Sequence, residues 1–109
     1  MTAKEIFEKN IPENLTKNAE KLSGINAMYQ FIITGDQGGE WVVDLTKPDG
    51  GEVREGKDDA AQCTLTISDQ NFVDLYTGKL NGQMAFMTGK LKVAGNIGLA
   101  LKLQNIMGD

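Results

Sequence analysis

The chain has 109 residues, 40% of them apolar and 24% charged, with a net charge of −4. That length closes one hydrophobic core but not two, and the composition lacks the bias of disordered, collagen-like or disulfide-dense chains, so residues 1–109 read as one domain. A single arginine, Arg54, argues against nucleic acid; the lack of histidine argues against general-base and metal chemistry; a lone cysteine, Cys63, excludes an internal disulfide and suits a reducing compartment.

Thr2-Ala3-Lys4-Glu5 is a capping box that opens a short helix, which Asn10-Ile11-Pro12-Glu13 ends and replaces with a second. The second helix presents Ile11, Leu15, Ala19 and Leu22 on one stripe and closes at Gly24. Strands follow. Ala27 to Thr34 places Ala27, Tyr29, Phe31 and Ile33 on one face, and Trp41 to Thr46 does the same with Trp41, Val43 and Leu45; Gly35 to Gly39 joins them as a hairpin loop. Pro48-Asp49-Gly50-Gly51 turns into a short polar edge strand around Val53, and a fourth strand, Ala61 to Ile67, directs Ala61, Cys63, Leu65 and Ile67 inward.

Beyond Ser68 the hydrophobic period changes from two to helical. Ser68 caps a helix through Tyr76, Asn81 one through Met87 and Asn96 one through Met107, with Gly78 and Gly89 as C-terminal caps. Lys90 to Ala94 is a fifth strand with Leu91 and Val93 inward. The order α-α-β-β-β-β-α-α-β-α predicts an α+β fold: a five-stranded, mixed, mostly antiparallel sheet covered by helices on one face.

Little in the chain supports catalysis. Cys63 sits at an inward strand position as a small buried hydrophobe, and the two serines, Ser23 and Ser68, fall at helix ends where capping explains them. The acidic stretch Asp49, Glu52, Glu55, Asp58, Asp59 lacks the spacing of a calcium loop and reads as solvated. Thr77-Gly78-Lys79-Leu80 recurs as Thr88-Gly89-Lys90-Leu91, but Val73 and Met84 stand where a phosphate loop needs glycine. No catalytic residue, metal or cofactor is expected.

The apolar surplus lies in the last third. Projected at about 100° per residue, Ile97, Leu99, Ala100, Leu101, Leu103, Ile106 and Met107 span an arc of about 220°, wider than one sheet contact needs. Phe72, Val73, Leu75, Tyr76, Met84, Phe86 and Met87 add to it. Three outlets exist: a larger shared core, a protein partner, or a cavity filled by an apolar ligand; periodicity alone favours the core. The charge is uneven as well. Residues 1–67 hold seven Lys/Arg against twelve Asp/Glu, whereas residues 68–109 hold four lysines against three aspartates, which leaves room for a transient contact with an anionic membrane surface.

From Ala27 onward the chain resembles the sterol carrier protein 2 family, also called non-specific lipid-transfer proteins. The segment from Met84-Ala85-Phe86-Met87-Thr88-Gly89-Lys90-Leu91-Lys92 through Val93-Ala94-Gly95-Asn96 to Leu103 fits the family pattern F-x-x-G-K-L-K-x-x-G-N followed by an apolar helix. Trp41 to Leu45, the acidic loop before Ala61, and Ser68 to Phe72 add supporting matches. The resemblance implies a hydrophobic tunnel for fatty acids, fatty acyl-CoA, phospholipids or sterols. By position, Phe72, Tyr76, Gln83, Phe86, Met87, Val93, Ile97 and Leu101 would line it, with Trp41 closing one side and Asn96 capping the last helix against the opening. It also implies a non-enzymatic carrier, monomeric, whose ligand exchanges as the C-terminal helix moves; a protein-interaction or dimerisation module is the rival. Animal relatives often carry a peroxisomal S-K-L-type ending, whereas this chain ends Met107-Gly108-Asp109; with no signal peptide or membrane-spanning run, a soluble, intracellular carrier in the cytoplasm is expected. Relatives also occur fused to β-oxidation enzymes or dehydrogenases, and Met1 opening a capped helix favours a stand-alone chain.

Overall fold

The computed structural model describes residues 2–17, 24–46 and 51–102. The N-terminal helical run begins as the capping box requires: the Thr2 hydroxyl accepts from the Glu5 amide at 3.2 Å and donates to the Glu5 carboxylate at 3.3 Å. Helix α1 (Ala3–Glu5) passes into a π-helical turn (Ile6–Asn10) and then α2 (Ile11–Lys17) with no loop between them. The expected break at Asn10 is thus a widened turn. The Ile11 amide reaches back to the Ile6 carbonyl, and Pro12, which has no N–H, could not have continued an ordinary α ladder at the next step. Ala3, Ile6, Phe7, Ile11 and Leu15 are buried along this run, while the predicted stripe residues Ala19 and Leu22 lie outside the described residues.

Five strands form one open sheet in the order β3-β2-β1-β4-β5: β1 (Met28–Thr34), β2 (Gly39–Asp44), β3 (Glu52–Glu55), β4 (Cys63–Ser68) and β5 (Leu91–Gly95). Three pairings are antiparallel and one, β1 with β4, is parallel. The register places Val43, Tyr29 and Cys63 in one row and Trp41, Phe31, Leu65 and Val93 in the next, so the inward alternation read from each strand becomes one continuous apolar face. Val53 continues that face on β3, an edge strand as expected. The fourth strand starts later than the sequence suggests. Ala61 is half-buried in a turn whose amide donates to the Asp58 carbonyl at 3.1 Å, and the ladder begins at Cys63.

Of the acidic stretch, Glu52, Glu55 and Asp59 are exposed, as expected of a solvated loop, whereas Asp58 is half-buried. Gln30, buried on the opposite face of β1, donates to the carbonyls of Trp41 at 3.1 Å and Gly56 at 3.0 Å and accepts from the Asp58 amide at 2.9 Å. Asp58 also pairs with Arg54. These bonds fold the segment after β3 back over the second face of the sheet, where Val42 is fully buried. Asp49 lies outside the described residues.

Helix α3 (Asp69–Tyr76) starts where Ser68 accepts from the Asn71 amide at 3.2 Å. The Asp69 carboxylate also accepts from the Gln37 amide at 2.9 Å, tying the β1–β2 loop to this helix start. Helix α4 (Gly82–Met87) is capped by Asn81, and α5 (Ile97–Leu101) by Asn96. Gly78 and Gly89 close the first two in the left-handed region, at φ of 86° and 81°. The expected continuation of the last helix to Met107 falls largely outside the described residues. The described helices all contribute to the one apolar face of the sheet, giving the α+β architecture expected from the element order.

Candidate functional site

Ten residues were singled out by sequence, and the structure sorts them into two groups. Trp41 and Phe72 belong to a packed aromatic core. The Phe7 ring stacks between them, 5.1 Å from Trp41 and 4.8 Å from Phe72 with interplanar angles of 3° and 4°, and meets Phe31 edge-on at 5.2 Å. Such contacts fill space; these two side chains form a floor beneath the helices. Phe7 escaped the sequence reading because nothing local marks a helix residue as the centre of a stack built from three distant segments.

The second group runs from the end of α3 to α5. Helix α4 packs on β5, and α5 rests on β4 and β5, so both lie at the β5 edge of the sheet. Phe86 is 44% exposed, Met87 72% and Ile97 51%, and Met84, which the tunnel reading left out, is 54% exposed. These are the exposed large apolar side chains among the described residues. Gln83 is exposed beside them, and Val93 is half-buried opposite Leu65. Tyr76 is half-buried and its phenol oxygen accepts from the Asn14 side-chain amide at 3.0 Å, linking α3 to α2. Leu101 ends α5, and its side chain is not among those described.

Asn96 performs the capping role expected of it, accepting from the Leu99 amide at 3.3 Å. A second anchor holds the same helix. The buried Tyr29 hydroxyl donates to the Leu99 carbonyl at 2.6 Å, a bond between residues 70 positions apart. Its signal in the sequence is faint: a tyrosine among inward strand residues must find a partner for its hydroxyl, but alternation cannot say where. Burial, with the neighbouring Cys63 thiol as a lesser cause, pushes the Tyr29 phenol up to about 12. Burial raises the Cys63 thiol too, which disfavours the nucleophilic thiolate. The groups that converge at the β5 edge are therefore hydrocarbon, thioether and aromatic side chains held by amide and phenol hydrogen bonds, an arrangement suited to covering an apolar surface.

Residues 5–108 match the SCP-2 sterol transfer family. The chain is similar to human sterol carrier protein 2, 44% identical over 103 residues, which covers 92% of this chain and 18% of the human protein. It is also similar to rat hydroxysteroid dehydrogenase-like protein 2, 44% identical over 89 residues, covering 81% of this chain and 17% of the rat protein. This chain thus spans less than a fifth of the length of either relative. Among solved structures, its fold resembles that of the Aedes aegypti sterol carrier protein-2 in complex with the C16 fatty acid palmitate, with a TM-score of 0.65 and 29% identity over 90% of this chain and 91% of that one. The chain belongs to the SCP-2 sterol transfer family.

Proposed function

We propose that the chain binds and carries apolar lipids, as fatty acids, fatty acyl-CoA, phospholipids or sterols, in a cavity between its helices and the β5 side of the sheet. Phe86, Met87 and Ile97 form the mouth, Val93 and Tyr76 the wall, and the C-terminal helix moves to admit or release the ligand. The chain acts as a carrier and not a catalyst, as a monomer that touches membranes transiently. One observation carries the reading: large apolar side chains stand exposed on α4 and α5 at a single edge of the sheet, where a hydrocarbon chain would cover them. The palmitate complex of the Aedes aegypti protein supports it.

The energetics fit loose binding. A chain of about fourteen carbons offers ~11 kcal/mol at ~0.8 kcal/mol per methylene; with the association cost at the low end of its ~4–15 kcal/mol range, about 7 kcal/mol remains, which is micromolar affinity with weak selectivity. Titration with a fluorescent fatty acid tests this. Ile97→Glu and Phe86→Glu should each weaken binding about tenfold or more while urea unfolding stays cooperative, because a charge at the mouth must be desolvated by the bound chain. Unchanged affinity in both would sink the cavity reading. A stable dimer by light scattering, with the same variants restoring the monomer, would favour the protein-interaction alternative instead.

A further inference from the structure

Helix α4 keeps its sulfur-bearing side chains outside. Ala85 is its one buried residue, whereas Met84 and Met87, three positions apart and so on neighbouring parts of the helix surface, are each more than half exposed. The other described methionine, Met28, is half-buried at the start of β1. Cys63, the one thiol of the chain, is fully buried, and burial holds it in the protonated form that reacts poorly with oxidants. A dissolved oxidant therefore meets the thioethers of α4 before any other described sulfur. In sequence the two methionines bracket Phe86, which stands exposed with Ile97 at the same edge of the sheet.

We propose that Met84 and Met87 form an oxidation switch at the mouth of the ligand site: a hydroperoxide converts both thioethers to sulfoxides and thereby lowers affinity for apolar ligands while the domain stays folded. The proposal rests on the lipid-carrier reading and adds a regulation of the same site. In each step a sulfur lone pair attacks the outer oxygen of the peroxide, an S–O bond forms and the O–O bond breaks. Sulfur is oxidised by two electrons and the peroxide is reduced; with hydrogen peroxide the departing hydroxide takes the proton left on the sulfur-bound oxygen and becomes water. A flexible apolar side chain has then become polar. A hydrocarbon chain that covers it must strip water from the sulfoxide oxygen without offering a hydrogen bond in return, which opposes binding. The fold is spared because α4 buries only Ala85 and its start is held by Asn81, whose side chain accepts from the Gln83 and Met84 amides. Leucine, of similar volume, would cover a hydrocarbon as well as methionine does; the sulfur alone makes the cover responsive.

The experiment treats the full chain with hydrogen peroxide, locates the added oxygen by peptide mass mapping, and titrates a fluorescent fatty acid before and after. Met84 and Met87 should gain oxygen ahead of Met28, and affinity should fall roughly tenfold with urea unfolding still cooperative. Methionine sulfoxide reductases with dithiothreitol, whose two thiols become a disulfide as the oxygen leaves as water, should return the starting affinity. Saturating palmitate should slow oxidation of both residues. Met84→Leu/Met87→Leu, whatever its own starting affinity, should keep that affinity through the same treatment. Oxidation of Met28 first, oxidation undiminished by palmitate, an equal loss in the leucine variant, affinity that stays low after the sulfoxides are reduced, or loss of the cooperative unfolding transition would each overturn the switch. If the untreated chain takes up no fatty acid, the carrier reading fails and the switch with it; if it binds and the oxidised chain binds equally, the switch alone fails.

Discussion

Replacing Tyr29 with phenylalanine removes one oxygen and leaves the packed ring. The oxygen is the donor in the 2.6 Å bond to the Leu99 carbonyl, which links the centre of the sheet to α5. Because that carbonyl also receives the Lys102 amide at the end of the helix, it is not left without a partner, and the loss at neutral pH should be near the ordinary net value of a hydrogen bond, about 1 kcal/mol. Alkaline pH separates the phenol from its ring. The folded-state value lies above the ordinary one, so Tyr29 stabilises the fold fully below pH 10 and loses that contribution as pH rises toward about 12. A displacement of this size corresponds to about 3 kcal/mol over that interval. The buried Cys63 thiol, also raised, adds a decline of the same sign in both proteins. Urea unfolding from pH 7 to 12 is the assay: Tyr29→Phe should begin about 1 kcal/mol below the wild type and fall less steeply above pH 10, so the two curves approach and cross. Parallel curves throughout would refute the argument, since they would mean that the phenol ionises equally in the folded and unfolded chains.

Two further substitutions probe the supports of the site. Phe7→Ala removes the ring stacked between Trp41 and Phe72 and should cost about 3–5 kcal/mol in urea unfolding, with changed tryptophan emission as Trp41 loses its neighbour; a loss below about 1 kcal/mol would show that the neighbouring rings collapse into the space. Asn96→Ala removes the acceptor of the Leu99 amide and should cost about 1 kcal/mol, appearing mainly as faster amide exchange at Leu99 and Ala100, whereas Asn96→Asp should keep the cap. Exchange unchanged in the alanine variant would leave Tyr29 as the dominant anchor of α5.

Local features were legible where one residue or one short spacing decides them. Ser68, Asn81 and Asn96 each announced a helix start, Gly78 and Gly89 each announced an end, and period-two alternation placed Tyr29, Phe31, Trp41, Val43, Leu65 and Ile67 on the correct face. What depended on distant partners was hidden. The Phe7 stack needs rings from a π-helical turn, two strands and α3, and the Tyr29 anchor needs the last described helix. Gln30 reads as an outward strand residue, yet it is buried because the segment after β3 returns across it. Of the residues proposed around the ligand, periodicity reached the apolar surplus on α4 and α5 but could not tell exposed Met87 from buried Phe72. That difference is set by which side of each helix the sheet occupies.

The parallel seam between β1 and β4 has a kinetic consequence. Strands β1, β2 and β3 form an antiparallel run from neighbouring segments, while β4 and β5 pair on the other side of the seam. The register from Tyr29 with Cys63 to Thr34 with Ser68 keeps a fixed separation of 34 residues. A loop of that size must close before the pairing returns any favourable contact, so joining the two halves is expected to be the slow event in refolding. Until it happens, β5 and the helices beside it have no sheet edge continuous with the aromatic core. The half that carries β4, β5, α4 and α5 should therefore acquire its final shape late, after the N-terminal meander has formed.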